Sequence, residues 1–125
     1  MAHVQTVLGP IPPEDLGFTL PHEHTQIALW HIQSRWDYWQ LTRDEPVILE
    51  ELERYRAAGG TALVDVTPSG MPRDPEWLRG LATASNLHIV MGAGWYRTAY
   101  YPAEAAIERR SVDDRDALVG DPGLP

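Results

Sequence analysis

The 125-residue sequence contains no cysteine and no lysine. Without cysteine the chain forms no disulfide, no thiolate metal site and no cysteine nucleophile. All ten basic residues are arginine, against eighteen Asp and Glu, which gives a formal net charge of −8. The acidic residues are spread along the chain, and a surface of that sign repels phosphate backbones, so nucleic-acid binding is not expected. Nothing approaches the ~18 consecutive apolar residues of a membrane span, and the start "MAHVQTVLGP" lacks the charged and apolar regions of a signal peptide. A soluble, cytoplasmic protein is expected, with no membrane partner.

Hydrophobic residues make up 43% of the chain, enough for one core, and domains typically hold roughly 100 to 150 residues. Val4 to Leu8 alternate weakly and are followed by "GPIPPEDLG", whose prolines cannot continue a central strand. This predicts an N-terminal β arm over residues 1–16, then a short strand from Gly17 to Leu20 leading into "PHEH". Thr25 to Arg43 has no clear period but carries Trp30, Trp36, Tyr38 and Trp39, and reads as a long loop with helical turns. Those aromatics either wall a pocket or form a satellite apolar cluster that packs the loop down.

Asp44, Glu45 and Pro46 open a helix predicted to run to about Ala58, with Ile48, Leu49, Leu52 and Tyr55 at helical spacing and Gly59 and Gly60 as its stop. "TALVDVTP" then reads as a strand buried on both faces. The pattern repeats: Asp74 and Pro75 cap a helix bearing Trp77, Leu78 and Leu81, Asn86 stops it in the left-handed conformation, and "LHIVMGAG" is the next strand. Strand, helix, strand is a βαβ unit with a parallel sheet. A third helix is predicted over 103–109, and Ser111 with Asp114 could cap another.

In extended chain, residues i and i+2 share a face, so His22 and His24 converge while Glu23 points away. Neutral imidazoles suit zinc and related divalent metals at about 2.0–2.1 Å. Spacing alone equally allows two solvated or backbone-bonded histidines in a turn. Position favours the metal reading, because the pair lies at the C-terminal end of the first parallel strand, the edge where α/β sheets and barrels place ligand sites. Asp65, Thr67, Gly70, Gly92 and Gly94 fall at the same edge of the next two strands. Asp65 reads either as an acceptor that orients a ligand histidine or as a structural hydrogen-bonding group. Arg73 and Asp74 read as a substrate-binding pair or, more simply, as a helix cap with a nearby arginine. His3 and His31 read as surface and loop residues, and His88 lies at the wrong end of its strand for catalysis.

"TVLGPIPPEDLGFTLPHEHTQ", "VDVTPSGMPRD" and "HIVMGAGWYRTAYYP" together resemble, in order and spacing, the N-terminal part of the phosphotriesterase-like family of the amidohydrolase superfamily, over about Val4 to Val112. The resemblance implies a TIM (β/α)₈ barrel with two divalent ions, usually zinc, bridged by a hydroxide and a carboxylated lysine. It implies that His22 and His24 bind the more buried ion, and that Tyr96 lies beside the bimetal centre and contacts substrate, with Trp95 a pocket wall or a packing residue. The implied activity is hydrolysis of a small-molecule ester, a lactone or carboxylic ester in preference to a phosphotriester, by metal-activated water.

A complete barrel needs about 250 residues, and residues 17–112 supply three of its eight βα units. By the same resemblance the bridging lysine belongs to the fourth strand, two further histidines to the fifth and sixth, and an aspartate to the eighth. Residues 113–125, "DDRDALVGDPGLP", depart from the family pattern and read as a divergent or truncated tail. A zinc ion held by two imidazoles alone binds weakly, so the isolated chain is expected to be inactive. The alternatives are a non-catalytic fragment or interaction module that pairs through an open sheet edge, and a small β-barrel oxygenase using His-x-His, which the βαβ pattern disfavours.

Overall fold

The computed structural model describes residues 2–28, 40–71 and 73–101. The aromatics Trp30, Trp36, Tyr38 and Trp39, together with His31, the helix predicted at 103–109, the Ser111/Asp114 cap and the tail at 113–125, lie outside the described residues.

The arm is a hairpin, β1 (Val4–Thr6) against β2 (Gly9–Ile11), antiparallel with Val4 opposite Ile11. The Thr6 hydroxyl closes its turn by donating to the Gly9 carbonyl at 2.6 Å and accepting from the Leu8 N–H at 3.2 Å. A backbone bond from the Val7 N–H to the Ile89 carbonyl (2.9 Å) docks the arm on the rest of the molecule, and Arg79 donates to the Val7 carbonyl (3.1 Å).

The sheet that carries the site is parallel, ordered β3 (Thr19–Glu23), β6 (Ala62–Asp65), β7 (His88–Met91). Two antiparallel residue pairs intervene in sequence between β3 and β6: β4 (Ile27–Ala28) and β5 (Gln40–Leu41). The stretch read as a loop with helical turns therefore begins and ends in extended, paired chain. β3 starts two residues later than expected and runs on through His22, so the first histidine is part of the strand.

α1 (Glu45–Ala57) follows β5 and α2 (Pro75–Ser85) joins β6 to β7. Leu52, Leu63, Leu78, Leu81, Ala82, Leu87 and Ile89 form one buried cluster, flanked by Leu20, Ile48, Leu49, Tyr55, Trp77 and Met91. Both helices thus cover the sheet face that bears Leu63 and Ile89. On the other face Ala62 is fully buried while Val64 and Val90 are half-buried, so among the described residues the strand expected to be covered on both faces is covered fully on one and in part on the other.

The two helix starts differ. Asp74 accepts from the Glu76 and Trp77 N–H groups at 2.9 and 3.2 Å, as predicted, and Asn86 stops α2 at φ 56°, ψ 39°. Asp44 occupies the N-cap position of α1, but its side chain makes no capping hydrogen bond. Pro46 in that first turn already removes one of the N–H groups that would need a cap. At the other end of α1, Gly60 lies under the Tyr55 ring, where an added Cβ would sit 2.2–2.4 Å from ring carbons. Among the described residues no helix is long and apolar enough to cross a membrane.

Candidate functional site

The C-terminal ends of β3, β6 and β7 open on one mouth. Successive pairings fix this edge: Glu23 lies opposite Asp65 and Asp65 opposite Met91. Between Leu20 and Glu23, β3 advances three residues while β6 advances two, from Leu63 to Asp65. That extra residue is a β-bulge, a device that bends a strand and re-aims its side chains. Pro21, which lacks an N–H, lies within it, and proline in sheets is confined to edges, strand starts and bulges.

The structure brings His22 and His24 together, their rings edge-on with centroids 5.7 Å apart and planes at 78°. His22 is exposed and His24 half-buried. His24 Nδ1 lies 2.9 Å from the Thr67 hydroxyl. Burial pushes the His24 imidazole below its ordinary pKa; the charge of Asp65 opposes this, His22 adds to it and Glu23 opposes it, with a net lowering. A neutral imidazole is the form that binds metal.

Asp65 takes the structural role. Its side chain is 2% exposed, and one carboxylate oxygen accepts from both the Thr25 N–H (2.8 Å) and the Thr25 hydroxyl (2.7 Å) while the other accepts from the Thr67 N–H (2.9 Å). It clamps the residue after His24 to the end of β6. Thr25 lies 40 positions from Asp65, and the local sequence patterns give no sign of that partnership.

Beyond β6 the loops are tied together by backbone and phenol groups. The Gly92 N–H donates to the Asp65 carbonyl at 2.7 Å, and a Cβ at Gly92 would lie 3.0 Å from that oxygen, so only glycine allows this approach without a shift. Tyr101 donates its hydroxyl hydrogen to the Ser69 carbonyl (2.8 Å) and accepts from the Tyr96 N–H (2.8 Å). Burial raises the Tyr101 phenol pKa, partly offset by the Tyr96 bond. Tyr100 joins Ile27 and Met71 in a small buried cluster under these loops.

Tyr96 is 50% exposed, its ring against Tyr100 at 4.7 Å, while the Trp95 ring packs on Tyr101 at 5.3 Å. The packing reading of Trp95 therefore has a definite partner. Arg73 Nη1 donates to the Gly92 carbonyl at 3.2 Å, and burial lowers its pKa. Asp74, besides capping α2, pairs with Arg43 at 2.7 Å. Burial pushes the Asp74 carboxyl up, but bonds from the Trp77 N–H, Arg43 and the Glu76 N–H outweigh it and leave the group below the usual carboxylate range. Arg43 also donates to the Gln26 side-chain carbonyl and lies over the Trp77 ring, 5.5 Å from its centroid, which couples the segment after the histidines to α2. His88 sits at the opposite end of β7, as expected.

Two imidazoles at the C-terminal edge of a parallel sheet, one held through Nδ1 and depressed in pKa, suit half of a divalent-metal site. Among the described residues no group of three or more His, Asp or Glu side chains gathers in a metal-holding arrangement.

Comparison with known proteins agrees with this geometry. The chain is 34% identical to N-acetyltaurine hydrolase of Rattus norvegicus, over 94% of this chain and 42% of that protein. In structure it is similar to a resiniferatoxin-binding protein from Rhodobacter sphaeroides, with a TM-score of 0.79 and 30% identity over 96% of this chain and 41% of the other. It is also similar to a lactonase from Listeria monocytogenes, with a TM-score of 0.70 and 27% identity over 80% of this chain and 30% of the other. The chain thus spans less than half the length of each. Its three-stranded parallel sheet with helices on one face is an incomplete α/β barrel of the TIM type, the N-terminal part of the family fold. The profile of the Phosphotriesterase family matches residues 2–121, and the chain belongs to that family, within the amidohydrolase superfamily.

Proposed function

We propose that this chain carries the first metal-binding elements of a zinc-dependent hydrolase that cleaves an ester-type bond in a small molecule. The observation that carries the reading is the edge-on pair His22 and His24 at the C-terminal end of β3, with His24 fixed through Nδ1. These two side chains would hold one divalent ion through neutral imidazole nitrogens. Divalent ions bound there would supply an activated water at neutral pH and polarise the bond under attack.

The chain's own residues position the rest. Asp65 holds Thr25, and with it the chain immediately after His24, against β6. Tyr101 fixes the Tyr96 backbone, and the half-exposed Tyr96 ring, packed on one side against Tyr100, would serve as a substrate contact. The lactonase likeness and the N-acetyltaurine hydrolase likeness both favour attack at an acyl carbon over attack at phosphorus, with a lactone or carboxylic ester as substrate and an acyl amide as a further case.

Two histidine ligands and no lysine fall short of the bimetal centre that the family resemblance implies, so the 125-residue chain alone is expected to turn over little or nothing. Assays of aryl ester, lactone, phosphotriester and N-acetyltaurine hydrolysis with added zinc or manganese test this. Turnover that disappears in a His22→Ala, His24→Ala double variant would overturn the expected inactivity and make the pair catalytic as it stands.

A second reading is favoured by the sheet itself. Among the described residues β3 is an unpaired edge of the three-stranded sheet, whereas β7, the other edge, is partly covered by the arm through the Val7 N–H to Ile89 carbonyl bond; Val64 and Val90 on the face away from the helices are half-buried. Such edges pair with other chains, so a non-catalytic module that self-associates would show concentration-dependent dimers in light scattering. A strictly monomeric, folded chain would exclude it.

A further inference from the structure

We propose that Thr67 is a positioning residue for the histidine pair: its hydroxyl holds His24 in the tautomer protonated at Nδ1, which leaves the Nε2 lone pair as the donor that the ring offers to a metal. The inference rests on reading His22 and His24 as a metal half-site.

A threonine hydroxyl has one hydrogen to give and lone pairs to accept with. Thr67 is 1% exposed, and among the described residues its Oγ1 has two hydrogen-bonding neighbours, the Gln26 carbonyl oxygen at 3.2 Å and His24 Nδ1 at 2.9 Å. A carbonyl only accepts, so the bond to Gln26 uses the single hydroxyl hydrogen. Toward His24 the same oxygen then presents a lone pair, and Nδ1 must carry the hydrogen. The bonds run in one direction: the His24 Nδ1–H donates to the Thr67 hydroxyl, which donates to the Gln26 carbonyl. Turning the hydroxyl toward His24 instead would abandon the Gln26 bond.

Thr67 is itself held. Its N–H donates to Asp65 Oδ1 at 2.9 Å, and Asp65 Oδ2 grips Thr25, the residue between His24 and Gln26. The middle of the relay, Thr67, and Thr25, which links its two ends along the chain, are therefore held by the same buried carboxylate. A ring nitrogen occupied by a donor bond to the protein fixes which nitrogen faces a metal, and losing such a partner typically lowers metal affinity about 10- to 100-fold.

The test compares the wild-type chain with Thr67→Val, which keeps the shape and removes the hydroxyl, and Thr67→Ser, which keeps the hydroxyl. Long-range ¹⁵N–¹H spectra of the metal-free protein at about pH 8, above the ordinary histidine pKa of about 6.5, report the tautomer of each ring. His24→Gln assigns the signal. The expected result is Nδ1–H for His24 in wild type and Thr67→Ser, a shift toward the Nε2–H form in Thr67→Val, and zinc affinity lower by about 10- to 100-fold in Thr67→Val with recovery in Thr67→Ser. An Nε2–H tautomer in wild type overturns the proposal, as does a tautomer unchanged by Thr67→Val. If Thr67→Val does not fold, the wild-type tautomer decides. A wild-type chain that shows Nδ1–H but binds no zinc refutes the metal reading while the hydrogen-bond relay stands; zinc binding with Nε2–H at His24 refutes the relay alone.

Discussion

Removing the Asp65 carboxylate is expected to damage the fold and the histidine pair together. Three donors converge on it: the Thr25 N–H, the Thr25 hydroxyl and the Thr67 N–H, at 2.7–2.9 Å in a buried setting. Hydrogen bonds to a charged group contribute about 1.5–3 kcal/mol each, and a buried donor left without a partner costs about 1–3 kcal/mol. In Asp65→Ala all three lose their acceptor; allowing for water entry and for coupling between the two Thr25 donors, the loss is about 4 kcal/mol. Asp65→Asn retains one carbonyl oxygen. If that oxygen serves Thr25, its NH₂ faces the Thr67 N–H, donor against donor, and the loss is about 2 kcal/mol. Small domains have only about 5–15 kcal/mol in total, so both changes are visible in urea unfolding followed by tryptophan fluorescence. The order Ala worse than Asn follows from the count of lost acceptors. A loss below about 1 kcal/mol for Asp65→Ala would refute the claim that this carboxylate anchors the mouth.

Three further outcomes follow from the same contacts. Tyr101→Phe removes the hydroxyl that bridges Tyr96 and Ser69 and lowers stability by about 1–2 kcal/mol, with faster hydrogen exchange at the Tyr96 amide as the local readout. Gly60→Ala drives a methyl into the Tyr55 ring and costs about 1–3 kcal/mol in thermal or urea unfolding unless the ring moves aside. For His24, burial depresses the folded pKa below the unfolded value near 6.5, so as pH falls below about 6.5 the unfolded chain takes up the proton first and stability declines until the folded pKa is passed. Metal-free urea midpoints at about pH 8 and about pH 5 are expected to differ less in His24→Gln than in wild type; an equal difference in both would contradict it.

Much of the scaffold was legible because its signals are local. Asp74 and Asn86 bracket α2 as caps do, and the glycines after α1 stop it where the apolar spacing ends. His22 and His24 were legible as a pair because two-residue spacing in extended chain brings side chains to one face. The register shift between Leu20 and Glu23 was not, although Pro21 lies within it. The supports of the pair were hidden for a different reason. Thr25 to Asp65, His24 to Thr67 and Arg43 to Asp74 are contacts across 40, 43 and 31 positions, and a threonine or arginine carries no mark of its distant partner. The Asp44 cap failed in the opposite way: the local signal was present, but the side chain makes no capping bond at a helix start that Pro46 had already shortened of donors.

The most direct test of the central claim is a zinc titration of the purified chain, with metal content checked by elemental analysis, beside the His22→Ala, His24→Ala double variant. The account predicts up to one zinc per wild-type chain, held more weakly than in a closed four-ligand site and absent from the double variant. Zinc that persists after both histidines are removed, or a folded wild-type chain that binds none, would contradict it.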